Sequence, residues 1–235
     1  MSHVKLVNKL SKNASWAALL SLLSITATAE EPARLEHVLV TAGLEPVSAQ
    51  TINSSITVIT REEIEQRQVK FLGDLLRDVP GFSVSQAGGP GTQTQVRVRG
   101  AEANQLLVLM DGIRANDPAS GDEFQFQYAS TANIERIEII RGPQSAIWGT
   151  DALAGVINII RRKDITGQTV SAEAEYGSFN SVNLAANGGI RREHYQLSGG
   201  ISHASTDGTN ISRTGNEQDG AENTNANVTL EMNPS

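Results

Sequence analysis

Apolar and polar positions change rhythm several times along this chain. Met1 to Ala29 runs from a basic stretch with Lys5, Lys9 and Lys12, through an apolar stretch from Ala14 to Ile25, to the small-residue run Ala27-Thr28-Ala29. This is the three-part layout of a secretory signal peptide, and about 12 apolar residues are too few to span a bilayer as a helix. Glu30 to Gln50 carries Pro32 and Pro46 without a helical period, and within it His37 to Ala42 is a short β-prone island. That island reads either as a first edge strand of the domain that follows or as an extended peptide that adds to the sheet edge of a partner.

From Ser55 the pattern is that of an α+β domain. Ser55 to Ile59 alternates as a strand, and Thr60 with Glu63 predicts a capping box that opens a helix. Leu72, Leu75, Leu76 and Val79 share one face of a second helix that stops at Pro80-Gly81. Phe82 to Ser85 and Gln95 to Arg99 read as strands around an irregular loop, Gln86 to Thr92. Leu106 to Met110 is an unbroken apolar run, as in a strand buried on both faces, and Asp111-Gly112 is a tight-turn signal. Arg114 to Tyr128 has no period and gathers Asn116 and Asp117 with Phe124, Phe126 and Tyr128. It is either a binding surface or a solvated loop whose aromatics anchor it. Ile134 to Ile140 and Val156 to Ile160 read as further strands, separated by two sharp turns.

After Lys163 the rhythm becomes one of antiparallel hairpins. Thr169 to Tyr176, Ser181 to Asn187 and Tyr195 to His203 each alternate small or apolar residues with polar ones. Thr206 to Asn227 reads as a long polar stretch, and Val228 to Met232 as a last alternating piece.

Composition narrows the classes. With 19 Lys+Arg against 26 Asp+Glu the net charge is -7, which excludes a basic nucleic-acid binder. No cysteine is present, so disulfide frameworks and thiolate chemistry are eliminated. A 39% hydrophobic content is too low for a helical membrane protein but leaves a β-barrel open, because barrel strands alternate. No hydrolase, phosphate-loop or metalloprotease motif is present, and His3, His37, His194 and His203 are scattered without ligand spacing. The residues therefore point away from an enzyme.

Several pieces, in order, resemble the TonB-dependent outer-membrane transporters of Gram-negative bacteria. They are Asp78-Val79-Pro80-Gly81, then Arg97-Val98-Arg99-Gly100 with Leu106 to Gly112, and above all Ile134 to Gly149 continuing through Asp151 to Ile160. A run of about 27 residues with its glycines and proline in register is far more specific than any fragment of it. The resemblance implies an α+β plug domain followed by the first antiparallel strands of a transmembrane β-barrel that this chain leaves incomplete. The expected layout is a signal peptide over 1–29, an extended segment over 30–45, a plug over 46–165 and about four strands over 166–235.

The resemblance also implies roles. Glu36, His37, Val38, Leu39, Val40, Thr41 and Ala42 match the box that pairs with the TonB protein of the inner membrane. Arg99 and Arg141 match plug arginines that pair with glutamates of the inner barrel wall, which would lie beyond Ser235. Gln86, Gly88, Gly89 and Gly91, together with Asn116, Asp117, Phe124, Phe126 and Tyr128, take the place of apical loops that meet substrate. The compact plug is most similar to the cobalamin-receptor subfamily, with an iron chelate as the alternative substrate. In that subfamily an early outer loop binds structural calcium, and Asp207 and Asp219 fall in the matching stretch, although a disordered polar loop fits as well. No other cofactor is implied, and the expected surroundings are outer-membrane lipid. A barrel of this family has about 22 strands, so four strands predict an amino-terminal fragment or truncated product that does not transport alone. A stand-alone periplasmic binding module is the competing class, and the hairpins after Thr169 argue against it.

Overall fold

The computed structural model describes residues 39–40, 47–48, 55–162, 167–212 and 214–232. The expected signal peptide and most of the 36–42 box lie outside them.

Two short strands come first: β1 (Leu39–Val40) pairs antiparallel with β2 (Val47–Ser48). β3 (Ser55–Thr60) then leads directly into helix α1 (Arg61–Arg67). The Thr60 hydroxyl accepts from the Glu63 amide at 3.4 Å, which caps one free N–H of the first turn. Only half of the expected capping box forms, because the Glu63 carboxylate turns along the helix to Arg67. Gln68 ends α1 in the left-handed region, with its amide on the carbonyls of Ile64 and Glu65. The second predicted helix appears as α2 (Leu72–Leu75) tightening into a 3-10 turn over Leu76–Asp78. Its apolar face is fully buried.

Strands β4 (Phe82–Gln86) and β5 (Thr94–Val98) form a separate hairpin. The main sheet has the order β3-β8-β9-β6-β7, with β6 (Leu106–Met110), β7 (Ile113–Arg114), β8 (Ile134–Arg141) and β9 (Gly155–Arg161). Its one parallel pair is β6 with β9. β6 lies between β9 and the short β7, which accounts for its unbroken apolar run. Asp111 and Gly112 both take positive φ, 53° and 82°, as a two-residue type I′ hairpin requires. One face of the sheet, with Ile137, Ile139, Ile157 and Ile159, packs against α1 and α2. The other carries Leu107, Leu109, Ile140 and Val156. Between β8 and β9 the predicted turns also hold a short helix, α3 (Ser145–Trp148), and a 3-10 turn over Thr150–Ala152.

Gly155 shows how closely β8 and β9 approach. A β-carbon there would sit 2.5 Å from the Ile140 carbonyl oxygen, a backbone atom fixed by the ladder. Gly155→Ala is therefore expected to destabilise the domain by about 3 kcal/mol. A denaturation midpoint equal to the parent's would show that the ladder yields instead.

The last four strands form a second, fully antiparallel sheet of β10 (Gln168–Gly177), β11 (Ser181–Arg191), β12 (Tyr195–Thr206) and β13 (Ala221–Met232). β13 begins seven residues before the predicted start at Val228, so the polar stretch is shorter than expected. Asn223, Asn225 and Asn227 conceal the strand in the sequence because they are its polar face. The observed class is the expected one, an α+β domain followed by antiparallel strands. Among the described residues these strands do not close into a barrel.

Candidate functional site

Register decides what each face of the second sheet presents. The rows Ala172-Ala186-Ile201-Ala226, Ala174-Leu184-His203-Thr224 and Tyr176-Val182-Ser205-Glu222 run across one face. That face continues through Val170, Leu197, Val228, Leu230 and Met232, and it is exposed: Val170 is 89% accessible and Val228 78%. The opposite face carries Glu173, Glu175, Asn183, Asn187, Ser198, Ser202 and the three asparagines of β13, and it is turned toward the α+β domain. A soluble sheet buries its apolar face and wets its polar one. This sheet does the reverse, which is the pattern of a barrel wall with lipid outside and a polar interior.

The contacts across the polar side are specific. Lys70, in the elbow between α1 and α2, places Nζ 2.5 Å from Glu173 Oε1 and 2.7 Å from Glu175 Oε2. Partial burial favours the neutral amine, but hydrogen bonds to the two carboxylates and their charges outweigh it and hold the Lys70 pKa above the ordinary lysine value. Its contribution is whole at neutral pH and is lost only as pH climbs through that raised value. Asn223 Nδ2 donates to the Tyr128 carbonyl at 3.0 Å, Asn133 Nδ2 to Asn227 Oδ1 at 2.8 Å, and Asn187 Nδ2 to the Ala132 carbonyl at 3.3 Å. Tyr128 apart, none of these residues stands out in the sequence as a site residue. The available signal was period-2 polarity, Glu173-Glu175 and Asn223-Asn225-Asn227 separated by small residues.

The two predicted arginines meet at one corner. Arg141 donates to the Pro80 carbonyl at 2.9 Å, to the Thr57 hydroxyl at 2.8 Å and to the Ser55 carbonyl at 3.4 Å. Arg99 is exposed, and a β-carbon on Gly142 would lie 3.9 Å from its guanidinium. Neither makes an ion pair with a described residue.

The predicted apical loops divide. Gly88, Gly89 and Gly91 form a tight loop in which Gln86 Nε2 and the Thr92 hydroxyl both donate to the Gly89 carbonyl. Asp117 caps the turn over Pro118–Ser120, and Tyr128 is exposed. Asn116 and Phe126 require correction, because both point inward. The Asn116 amide is buried, accepts from Val108 N at 2.8 Å and donates to the Leu106 and Asp122 carbonyls. It pins the loop to β6, since a buried amide needs partners for each of its groups. Phe126 belongs to the core and meets the half-buried Phe124 edge-to-face at 4.8 Å. These two aromatics anchor the loop, the plainer of the readings their sequence allowed.

Of the 36–42 box only Leu39 and Val40 are described. They pair with Val47 and Ser48 and do not join the main sheet. Glu36, His37, Val38, Thr41 and Ala42 lie outside the described residues. Asp207 accepts from Asn180 Nδ2 and Asp219 from the Ile211 amide. Among the described residues no group of three His, Asp or Glu side chains converges as a metal site.

An α+β domain seated against the polar side of an inverted sheet is the arrangement of a plug against a barrel wall, and comparison with known proteins agrees. Residues 48–156 match the family model of the TonB-dependent Receptor Plug Domain, and the chain belongs to the TonB-dependent receptors of the outer membrane. It is similar to the vitamin B12 transporter BtuB of Vibrio vulnificus, with 39% identity over 180 residues. The match takes in 74% of this chain and 29% of that relative, so the chain spans less than a third of its length. Solved structures share the fold. The ferric yersiniabactin uptake receptor FyuA from Yersinia pestis matches 79% of this chain and 30% of its own, with a TM-score of 0.61 and 21% identity. The alcaligin outer-membrane receptor FauA from Bordetella pertussis matches 73% and 30%, with a TM-score of 0.61 and 20% identity.

Proposed function

We propose that this chain supplies the gate and first wall strands of a receptor that takes up cobalamin, with energy delivered through its 36–42 segment by the TonB protein. The observation that carries the uptake reading is the inverted sheet, whose polar face holds the plug and whose apolar face is exposed. The 39% identity to a vitamin B12 transporter supports the substrate. Arg99 and Arg141, which make no ion pair with a described residue, suit acidic partners elsewhere on a receptor wall, as burial of an unpaired cation is costly. Tyr128 and the Gly88–Gly91 loop, at least partly exposed beside the start of β13, remain as the candidate ligand surface. The pairing of Leu39 and Val40 with Ser48 and Val47 supports strand addition at this segment, since a two-residue ladder is easily exchanged for a longer one with a partner.

The test is direct binding to the complete receptor in isolated outer membranes. Labelled cobalamin is expected to bind saturably and to resist competition by ferric chelates. Saturable binding of a ferric chelate with no binding of cobalamin would replace the substrate and leave the family unchanged.

A further inference from the structure

The plug and the wall do not pack tightly where they meet. A cavity of about 360 Å³ lies between the α1–α2 elbow and strands β10 to β13, lined by Arg61, Glu65, Asn183 and Ser202 among others. A second, of about 640 Å³, lies between the same elbow and the start of β13, with Asp74, Tyr128 and Glu222 in its lining. Lys70 lines both. Among the described residues the other side-chain hydrogen bonds across this seam come from neutral amides, which exchange with water at little net cost. One of them is poorly fitted: Asn187 donates at 3.3 Å while its buried Oδ1 has no partner. Lys70 differs in kind, since a single ammonium holds two carboxylates that stand at successive inward positions of β10. The elbow that carries it is rigidly joined to the plug. Thr131 N donates to the Lys70 carbonyl at 3.1 Å, and the Thr131 hydroxyl donates to the Val69 carbonyl at 2.6 Å.

We propose that Lys70 is the clasp of this seam: it sets the distance between the plug shoulder and β10, and without it the two surfaces part over the cavities. The inference rests on the reading of the second sheet as a receptor wall. It assigns to Lys70, Glu173 and Glu175 a positioning role separate from substrate binding. The ammonium reaches across a gap that side-chain packing leaves open, so its loss is not made good by apolar contact. Asn223 and Asn227 of β13 then hold the plug by neutral hydrogen bonds alone, to the Tyr128 carbonyl and the Asn133 side chain.

The chain has no cysteine, so a single Ser202→Cys reports the width of the seam through its labelling rate with a bulky hydrophilic maleimide. The complete receptor is assayed in outer-membrane vesicles without substrate or energy source. Lys70→Gln is expected to raise the rate about fivefold, the change in an open-to-closed ratio that one partly exposed ion-pair cluster supplies. Lys70→Arg should stay near the parent rate, and Lys70→Glu combined with Glu173→Lys and Glu175→Gln should recover most of the protection. Should Lys70→Gln fail to assemble, Glu173→Gln with Glu175→Gln tests the same contact from the wall side. Labelling at the parent rate in the lysine variant or in the paired glutamine variant overturns the clasp. Because the readout needs neither ligand nor TonB, failure of the cobalamin or uptake reading leaves it standing, and failure of the clasp leaves them standing.

Discussion

Cells carrying Val40→Pro in the complete receptor are expected to bind cobalamin at their surface as the parent does and to accumulate it only at the background rate of cells lacking TonB. Proline removes the amide that a strand partner would bond and fixes φ near -65°, so one substitution damages both the ladder and the extended shape it needs. The folded domain should hardly respond. Among the described residues β1 pairs with β2 and is not a strand of the five-stranded sheet, so plug stability and ligand binding should be insulated from the change. Paired measurements separate the outcomes: ligand bound to isolated outer membranes, and ligand accumulated by energised cells. Accumulation at the parent rate would defeat the strand-addition reading. Loss of binding together with uptake would show that the segment supports the plug.

Ile201→Arg is expected to block assembly into the membrane. Ile201 lies in the row Ala172-Ala186-Ile201-Ala226, near the middle of the exposed apolar face, and is half exposed. On a soluble protein, replacing an exposed isoleucine with arginine is close to neutral. On the lipid face of a barrel wall the same change costs about 2–4 kcal/mol near the midplane. Ser202→Arg, one residue along on the polar face, should be tolerated far better by the membrane even if it crowds the plug. The yield of membrane-inserted, protease-resistant protein measures both. Equal yields for the parent and Ile201→Arg would mean that this face does not meet lipid.

Most of the fold could be read from the residues, because its elements follow from local pattern. The apolar run of Leu106 to Met110, the type I′ turn at Asp111-Gly112 and the stop at Pro80-Gly81 each have a short-range cause. What escaped was set by distant parts of the chain. The start of β13 is hidden because asparagines at alternate positions read as loop until a plug stands opposite them. The amide of Asn116 looks like a surface group, yet it serves the backbone of β6. The partners of Lys70 lie more than 100 residues away on the first wall strand, and no periodicity connects them. Arg99 and Arg141 stand out only through family resemblance, and their meeting at one corner, with Arg141 held by the plug's own carbonyls, follows from the fold.

The strand order also gives the plug a mechanical grain. β3 is an edge strand, bonded on one side only to β8, and it is the first strand of the main sheet that tension from the amino terminus reaches. β9 and β6 stand behind β8, each with neighbours on both sides. A pull applied ahead of Ser55 therefore loads the Ser55–Arg141 end of the ladder first, the same end at which Arg141 binds the Ser55 carbonyl and the Thr57 hydroxyl. The sheet would yield from its margin inward, with the arginine corner as the first fastening to give and the isoleucine-packed centre as the last.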